Sequence, residues 1–197
     1  ADYDAMIHLT MAKRLQNQEV LRQKFVGGKR LRYGENPHQQ AMVYTDQLYQ
    51  GPNLTTAKQL WGKELSYNNF VDGDAALEVV LRFDNCAVAV VKHTNPCGLA
   101  TGSSPRQALE QAWEGDIVSA YGSVIACNRL VDLDFMEFLE GKFVEIVLAP
   151  AFAPEVLAWV EEHHKKNLRL LELGDLTVPL ERQVCRYIHG GVLRQDE

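Results

Sequence analysis

Short apolar runs alternate along the chain with stretches of helical periodicity, so the pattern predicts strands and helices in turn. Ala87–Val91 is continuous, apolar and rich in β-branched residues, as expected of a strand covered on both faces. Ser123–Cys127 (SVIAC) reads as a second core strand and Phe143–Ala149 (FVEIVLA) as a third, ended by Pro150. Leu168–Leu171 and Val184–Ile188 are weaker strand candidates, and Ala41–Tyr44 is a short one. Among the helices, Asp4–Phe25 places Ile7, Met11 and Leu15 on one face and ends at Gly27-Gly28. Gly73–Phe83 has the stripe Leu77, Val80 and Leu81, with Asp72 as cap. Ser104-Pro105-Arg106-Gln107 joins a capping-box pattern to proline at the first helical position, and Leu109 and Trp113 follow on the apolar face before Gly115. Val131–Glu140 and Pro154–His164 complete the set, the latter with Leu157 and Val160 inward. Such alternation argues for a layered α/β domain.

In open sheets of this class, ligands sit at the carboxyl ends of strands. Lys92-His93 follows one predicted strand and Asn128-Arg129 another, so a site is expected there if the two strands are neighbours and point the same way. A solvated strand end would also account for Lys92 and His93. Histidine titrates nearest neutrality of all side chains, and an ammonium beside it favours the neutral form that a general base needs. The same lysine suits a phosphate or an oxyanion. Arg32 and Tyr33 open the polar stretch RYGENPHQ, where an arginine fork could grip an anion and a tyrosine could stack on a ring; a plain surface loop is the other reading. Gly62–Asn69 (GKELSYNN) reads as a loop whose amides cap a helix or contact a ligand. Gly122 could offer its backbone N–H or C=O to a ligand, or serve a tight turn. Glu145 interrupts FVEIVLA: it either points to solvent or needs a buried partner. His163-His164, near a helix C-terminus, reads as dipole complementation.

The 197 residues are 46% hydrophobic and 23% charged, enough for one domain with a sizeable core. A net charge of -6 argues against non-specific nucleic-acid binding but leaves room for a basic pocket around one phosphate. Cys86, Cys97, Cys127 and Cys185 form no CxxC pair, which suits a reducing, cytoplasmic protein without disulfides. The charged start (Asp2, Asp4, Lys13, Arg14) shows no signal peptide, and no apolar stretch nears the ~20 residues that span a bilayer. Neither a nucleic acid nor a membrane is expected as partner. No GxGxxG or GxxxxGK[ST] is present. A zinc deaminase needs H-x-E and P-C-x-x-C, whereas Thr94-Asn95 follows His93 and residue 100 is alanine.

LRYGENPHQ (31–39), GKELSYNN (62–69) with DGDAAL (72–77), VVKHTNPCG (90–98), SAYGSVIACNR (119–129), FVEIVLAP (143–150) and GGVLRQD (190–196) occur in that order. Together they resemble the AICAR transformylase/IMP cyclohydrolase family of purine biosynthesis, across nearly the whole chain. The resemblance implies the first subdomain of the transformylase region over residues 29–197, with residues 1–28 a helical arm from a preceding domain. It implies a layered, cytidine-deaminase-like α/β fold with a mixed sheet, helices on both faces and no zinc. The implied reaction is formyl transfer from the co-substrate 10-formyltetrahydrofolate to the 5-amino group of AICAR, on the route to IMP. By motif, Lys92 and His93 fall on the catalytic pair, Arg32 and Tyr33 on nucleotide-binding positions, Gly122 on a backbone contact and Glu145 on an acidic position near the ribose. The implied partners are the two small molecules, the remaining transformylase subdomain, the cyclohydrolase domain and a second copy in a homodimer. The isolated chain is accordingly expected to be inactive or nearly so. The alternative is a non-catalytic purine-nucleotide-binding or regulatory module.

Overall fold

A continuous apolar strand needs cover on both faces, and the central sheet has it. The computed structural model describes residues 23–178 and 183–196, with Tyr3, Met6, Ile7, Thr10 and Leu21. Six strands form the main sheet: β3 (Lys58–Trp61), β4 (Ala87–Lys92), β5 (Asn95–Thr101), β6 (Ser123–Cys127), β7 (Val144–Ala149) and β8 (Arg169–Glu172). Their order is β3-β8-β7-β6-β4-β5. β6, β7 and β8 run parallel, while β3, β4 and β5 pair antiparallel with their neighbours. The fold is therefore α/β with a mixed sheet. Two antiparallel pairs stand apart: β1 (Phe25–Arg30) with β2 (Met42–Asp46), and β9 (Gln183–Ile188) with β10 (Gly191–Asp196).

Alternate residues of the inner strands face opposite layers. Val88, Val90, Ile125, Cys127 and Val147 share a core with α2 (Pro105–Glu114), α3 (Leu133–Phe138) and α4 (Pro154–Glu162). Ala89, Val91, Val124, Ala126, Ile146 and Leu148 pack on the other face with Ala76, Leu77 and Val80 of α1 (Tyr67–Val80). Each buried Val, Leu or Ile contributes roughly 1.5–3 kcal/mol, and this double layer fixes the strand ends.

Several expectations change. The expected helix over 4–25 lies largely outside the described residues. Phe25 begins β1, and Gly27-Gly28 lie within that strand, where the pairing with β2 shifts register. α1 begins at Tyr67 rather than Gly73, because Ser66 and Asn69 cap each other's backbone N–H groups. Asp72 is thus inside the helix and caps nothing. Asn95-Pro96, a dipeptide that reads as a turn, instead starts β5, which returns along β4. On α4 the buried residues are Val156, Trp159 and Val160, while Leu157 is exposed. β4 and β6 are neighbours but antiparallel. Lys92-His93 and Asn128-Arg129 therefore lie at opposite ends of the sheet.

Candidate active site

At the end of β4 the chain reverses through two residues, with Lys92 opposite Asn95. Both central residues are left-handed, His93 at φ 52° and Thr94 at φ 62°. Two-residue hairpins of this hand favour Asn-Gly, and a β-branched residue there is a true outlier. Such strain costs about 1–3 kcal/mol per residue and persists only where surroundings enforce it. Here they do. The Thr94 N–H donates to Asp72 Oδ1 at 2.8 Å, Thr94 Oγ1 donates to the His93 carbonyl at 2.6 Å, and Asn95 Nδ2 donates to the same carbonyl at 2.8 Å. Before the turn, Lys92 Nζ donates to the Tyr121 carbonyl at 2.7 Å. The His93 ring is exposed, and none of the described residues forms a hydrogen bond to it.

The loop that receives Lys92 is itself held by an acid. Asp116 accepts from the N–H groups of Val118 and Ser119 and from Ser119 Oγ. Chiefly the Ser119 hydrogen bonds hold its carboxyl below the ordinary carboxylate value, with Lys92 adding a smaller pull. Gly122, at φ 75°, closes the loop; its N–H donates to the Phe143 carbonyl at 2.8 Å. That amide is committed to the fold, which leaves the carbonyl as the group Gly122 has to offer.

Further along the same sheet end, at the start of β7, Glu145 is half-buried and has a partner: Asn69 Nδ2 donates to its Oε2 at 2.9 Å. Beside it Arg169, at the start of β8, is only 6% exposed. Its Nη1 donates to the Asn167 carbonyl at 2.9 Å and, at 3.5 Å, to that of Glu145, while Nε reaches the Lys63 carbonyl at 3.3 Å. Burial pushes the guanidinium's pKa down, the Glu145 carboxylate opposes this, and Arg32 adds to it. Arg32 and Tyr33 thus lie within electrostatic reach of Arg169. Arg32 is exposed and sits 5.2 Å from the Tyr33 ring centre. Asn68 Nδ2 donates to the Glu35 carbonyl at 3.2 Å, tying their loop to the start of α1.

Six singled-out residues thus gather around one end of the sheet: Lys92 and His93 at the carboxyl end of β4, Gly122 and Glu145 at the amino ends of β6 and β7, and Arg32 and Tyr33 on the loop beside them. Sequence reasoning missed Arg169, although a charge inside the apolar stretch LRLL is the signal that exposed Glu145. It also missed the Tyr121 carbonyl, a backbone group with no sequence signature.

Asn128 and Arg129 belong elsewhere. A cavity of about 770 Å³ opens at the far end of the sheet, lined by Arg82, Asp84, Asn128, Arg129, Pro150 and Asp175 among others. Its polar groups serve the framework. Asn128 bridges the Ala87 N–H and the carbonyls of Phe83 and Asn85, and Arg129 bonds the carbonyls of Asn128 and Asp84. Lys92, His93, Arg32, Tyr33 and Glu145 do not line this cavity. Among the described residues, no group of three or more His, Cys, Asp or Glu could hold a metal ion, and no helix is long and apolar enough to cross a membrane.

An ammonium, an imidazole, two guanidiniums and a carboxylate thus surround one end of the sheet of an α/β domain. The chain belongs to the AICARFT/IMPCHase bienzyme family, whose profile matches residues 1–197. It is 44% identical to the "Bifunctional purine biosynthesis protein PurH" of Shouchella clausii over 199 residues, covering 100% of this chain and 38% of that protein. The proteins of the same name from Halalkalibacterium halodurans and Rhodopirellula baltica are 45% and 41% identical, covering 100% and 99% of this chain. The chain spans 39% and 35% of those two relatives.

Proposed function

We propose that this chain supplies the first transformylase subdomain of a bifunctional purine-biosynthesis enzyme, with residues 29–197 as the subdomain, residues 1–28 as an arm and a fold of the cytidine-deaminase-like type. The supporting observation is the His93-Thr94 turn: it is strained, pinned on both sides, and shares a sheet end with Arg32, Tyr33 and Glu145.

The AICAR amine is a weak nucleophile, because its lone pair is delocalised toward the carboxamide. As its nitrogen attacks the formyl carbon of 10-formyltetrahydrofolate, the exposed imidazole of His93 takes the amine proton. The tetrahedral intermediate then collapses with loss of the folate nitrogen, which is protonated as it leaves. Lys92, tethered through Tyr121, places positive charge where the oxyanion forms. Arg32 grips the nucleotide phosphate, Tyr33 packs on the nucleotide, Gly122 meets it through its carbonyl, and Glu145 accepts from the ribose. The rest of the full enzyme, including a second transformylase subdomain and a homodimer partner, completes the binding surface.

The test compares the chain alone with the full-length enzyme carrying it. Calorimetry should show AICAR binding weakly to the isolated chain, with negligible formyl transfer. In the full-length enzyme, His93→Ala should lower formyl transfer about 10²–10⁴-fold while leaving AICAR binding within a few-fold. Robust turnover by the isolated chain would overturn the requirement for the other parts. An unaffected His93→Ala enzyme would favour a binding or regulatory module instead.

A further inference from the structure

We infer that Asp72 is a positioning residue for His93, acting through the main chain of the turn rather than through the imidazole. The inference rests on the catalytic reading of His93. The side chain of a general base is commonly oriented by a partner on its ring. His93 has no such partner among the described residues, so what the fold fixes is its Cα–Cβ direction, through the backbone of the turn. That backbone is left-handed at two successive residues, neither a glycine. The bonds from Thr94 Oγ1 and Asn95 Nδ2 are internal to the turn and would move with it. The bond from the Thr94 N–H to Asp72 Oδ1, 2.8 Å, ties the turn to a different element, helix α1, one face of which is buried against the sheet.

α1 makes a rigid anchor. Its Ala76, Leu77 and Val80 are buried against the sheet. One turn before Asp72, on the same face, Asn69 holds the Glu145 carboxylate. Two residues three positions apart thus fix the imidazole-bearing turn and the acid in one frame. With Lys92 held before the turn and Thr94 after it, His93 is fixed from both sides. Without Asp72, the turn would relax toward an unstrained geometry and carry the imidazole with it; a displacement of about 1 Å can lower a rate 10²-fold.

Formyl transfer by the full-length enzyme tests this, with its cyclohydrolase activity as the control for folding. Asp72→Ala should lower kcat about 10²-fold and change KM for AICAR less than about 3-fold. Asp72→Asn keeps an acceptor oxygen in place and should stay near the parent. Glycine adopts the left-handed conformation without help, so Thr94→Gly added to Asp72→Ala should restore kcat by about tenfold or more, a rescue that a merely structural defect would not show. The inference is overturned if Asp72→Ala keeps kcat while His93→Ala loses it, if Asp72→Asn falls as far as Asp72→Ala, or if the double variant recovers nothing. A harmless His93→Ala would instead remove the catalytic reading. The tether then remains testable by hydrogen exchange of the Thr94 amide in the 197-residue chain, which Asp72→Ala should accelerate at least about tenfold and which unchanged exchange would refute.

Discussion

Cys127 shows how burial governs a single group. It is fully buried in β6, and its thiol is pushed up to about 12, chiefly by desolvation. In the unfolded chain a thiol ionises near roughly 8.5. Between these values the unfolded state releases a proton that the folded state keeps, so stability falls as pH rises through that window. The thiolate is the reactive form. In the folded chain at pH 8, Cys127 should therefore resist alkylation and become labelled only on denaturation; mass spectrometry of labelled peptides reads this directly, and prompt native labelling would contradict it. Glu145 and Arg169 show what residue-level reading misses. Each is a charge in an apolar strand, and alternation alone could not say whether either pointed inward. The answer depends on partners distant in sequence: Asn69 for Glu145, and the carbonyls of Lys63 and Glu145 for Arg169. Asp72 was visible as a helix-cap candidate, yet its partner is a backbone N–H 22 positions away.

Between elements, β5 comes very close to α2 at Gly98. A Cβ at Gly98 would lie 1.8 Å from the Ala112 carbonyl oxygen, which is helix backbone and cannot rotate aside. Gly98→Ala should thus push α2 from the sheet and disturb the hairpin that carries His93. A loss of about 3 kcal/mol or more is expected, above the usual range for overpacking because backbone must move. Urea midpoints would measure it, and an unchanged midpoint would show that the two elements separate freely. Gly98 permits this close backbone approach from within a strand, a placement that no local pattern shows. Proline and glycine in NPCG argue for a turn, but β5 is the edge strand of the sheet, where a missing donor is tolerated. The α1 start was hidden for a related reason. Its capping box uses Asn69 where Glu or Gln is usual, so SYNN looked like loop.

At the scale of the molecule, the strand directions decide where function sits. The apolar runs made β4, β6 and β7 legible, but no local pattern says that β4 opposes β6. That one antiparallel pairing brings the carboxyl end of β4 to the amino ends of β6 and β7 and separates Lys92 from Arg129. The same pairing logic singles out a hairpin that the main sheet does not support. β9 and β10 form a two-stranded sheet of their own, outside the main sheet, and leave Tyr187 at 72% and Leu193 at 57% exposure. Tyr187 Oη donates to Gln23 Oε1 at 2.9 Å, a long-range tie made by exposed side chains. A lone hairpin is marginal in water, because too little apolar surface is buried to offset the ordering of its backbone. Under the proposed function, the other parts of the full-length enzyme cover the exposed tyrosine and leucine. In the isolated chain, amides of β9 and β10 should exchange with solvent at least about 10²-fold faster than those of β4, β6 and β7, because local opening of the hairpin leaves the double-layered core intact. In the full-length enzyme the difference should shrink. Equal protection of hairpin and core in the isolated chain would mean that the hairpin needs no further cover, and would weaken the case that this chain is one part of a larger folding unit.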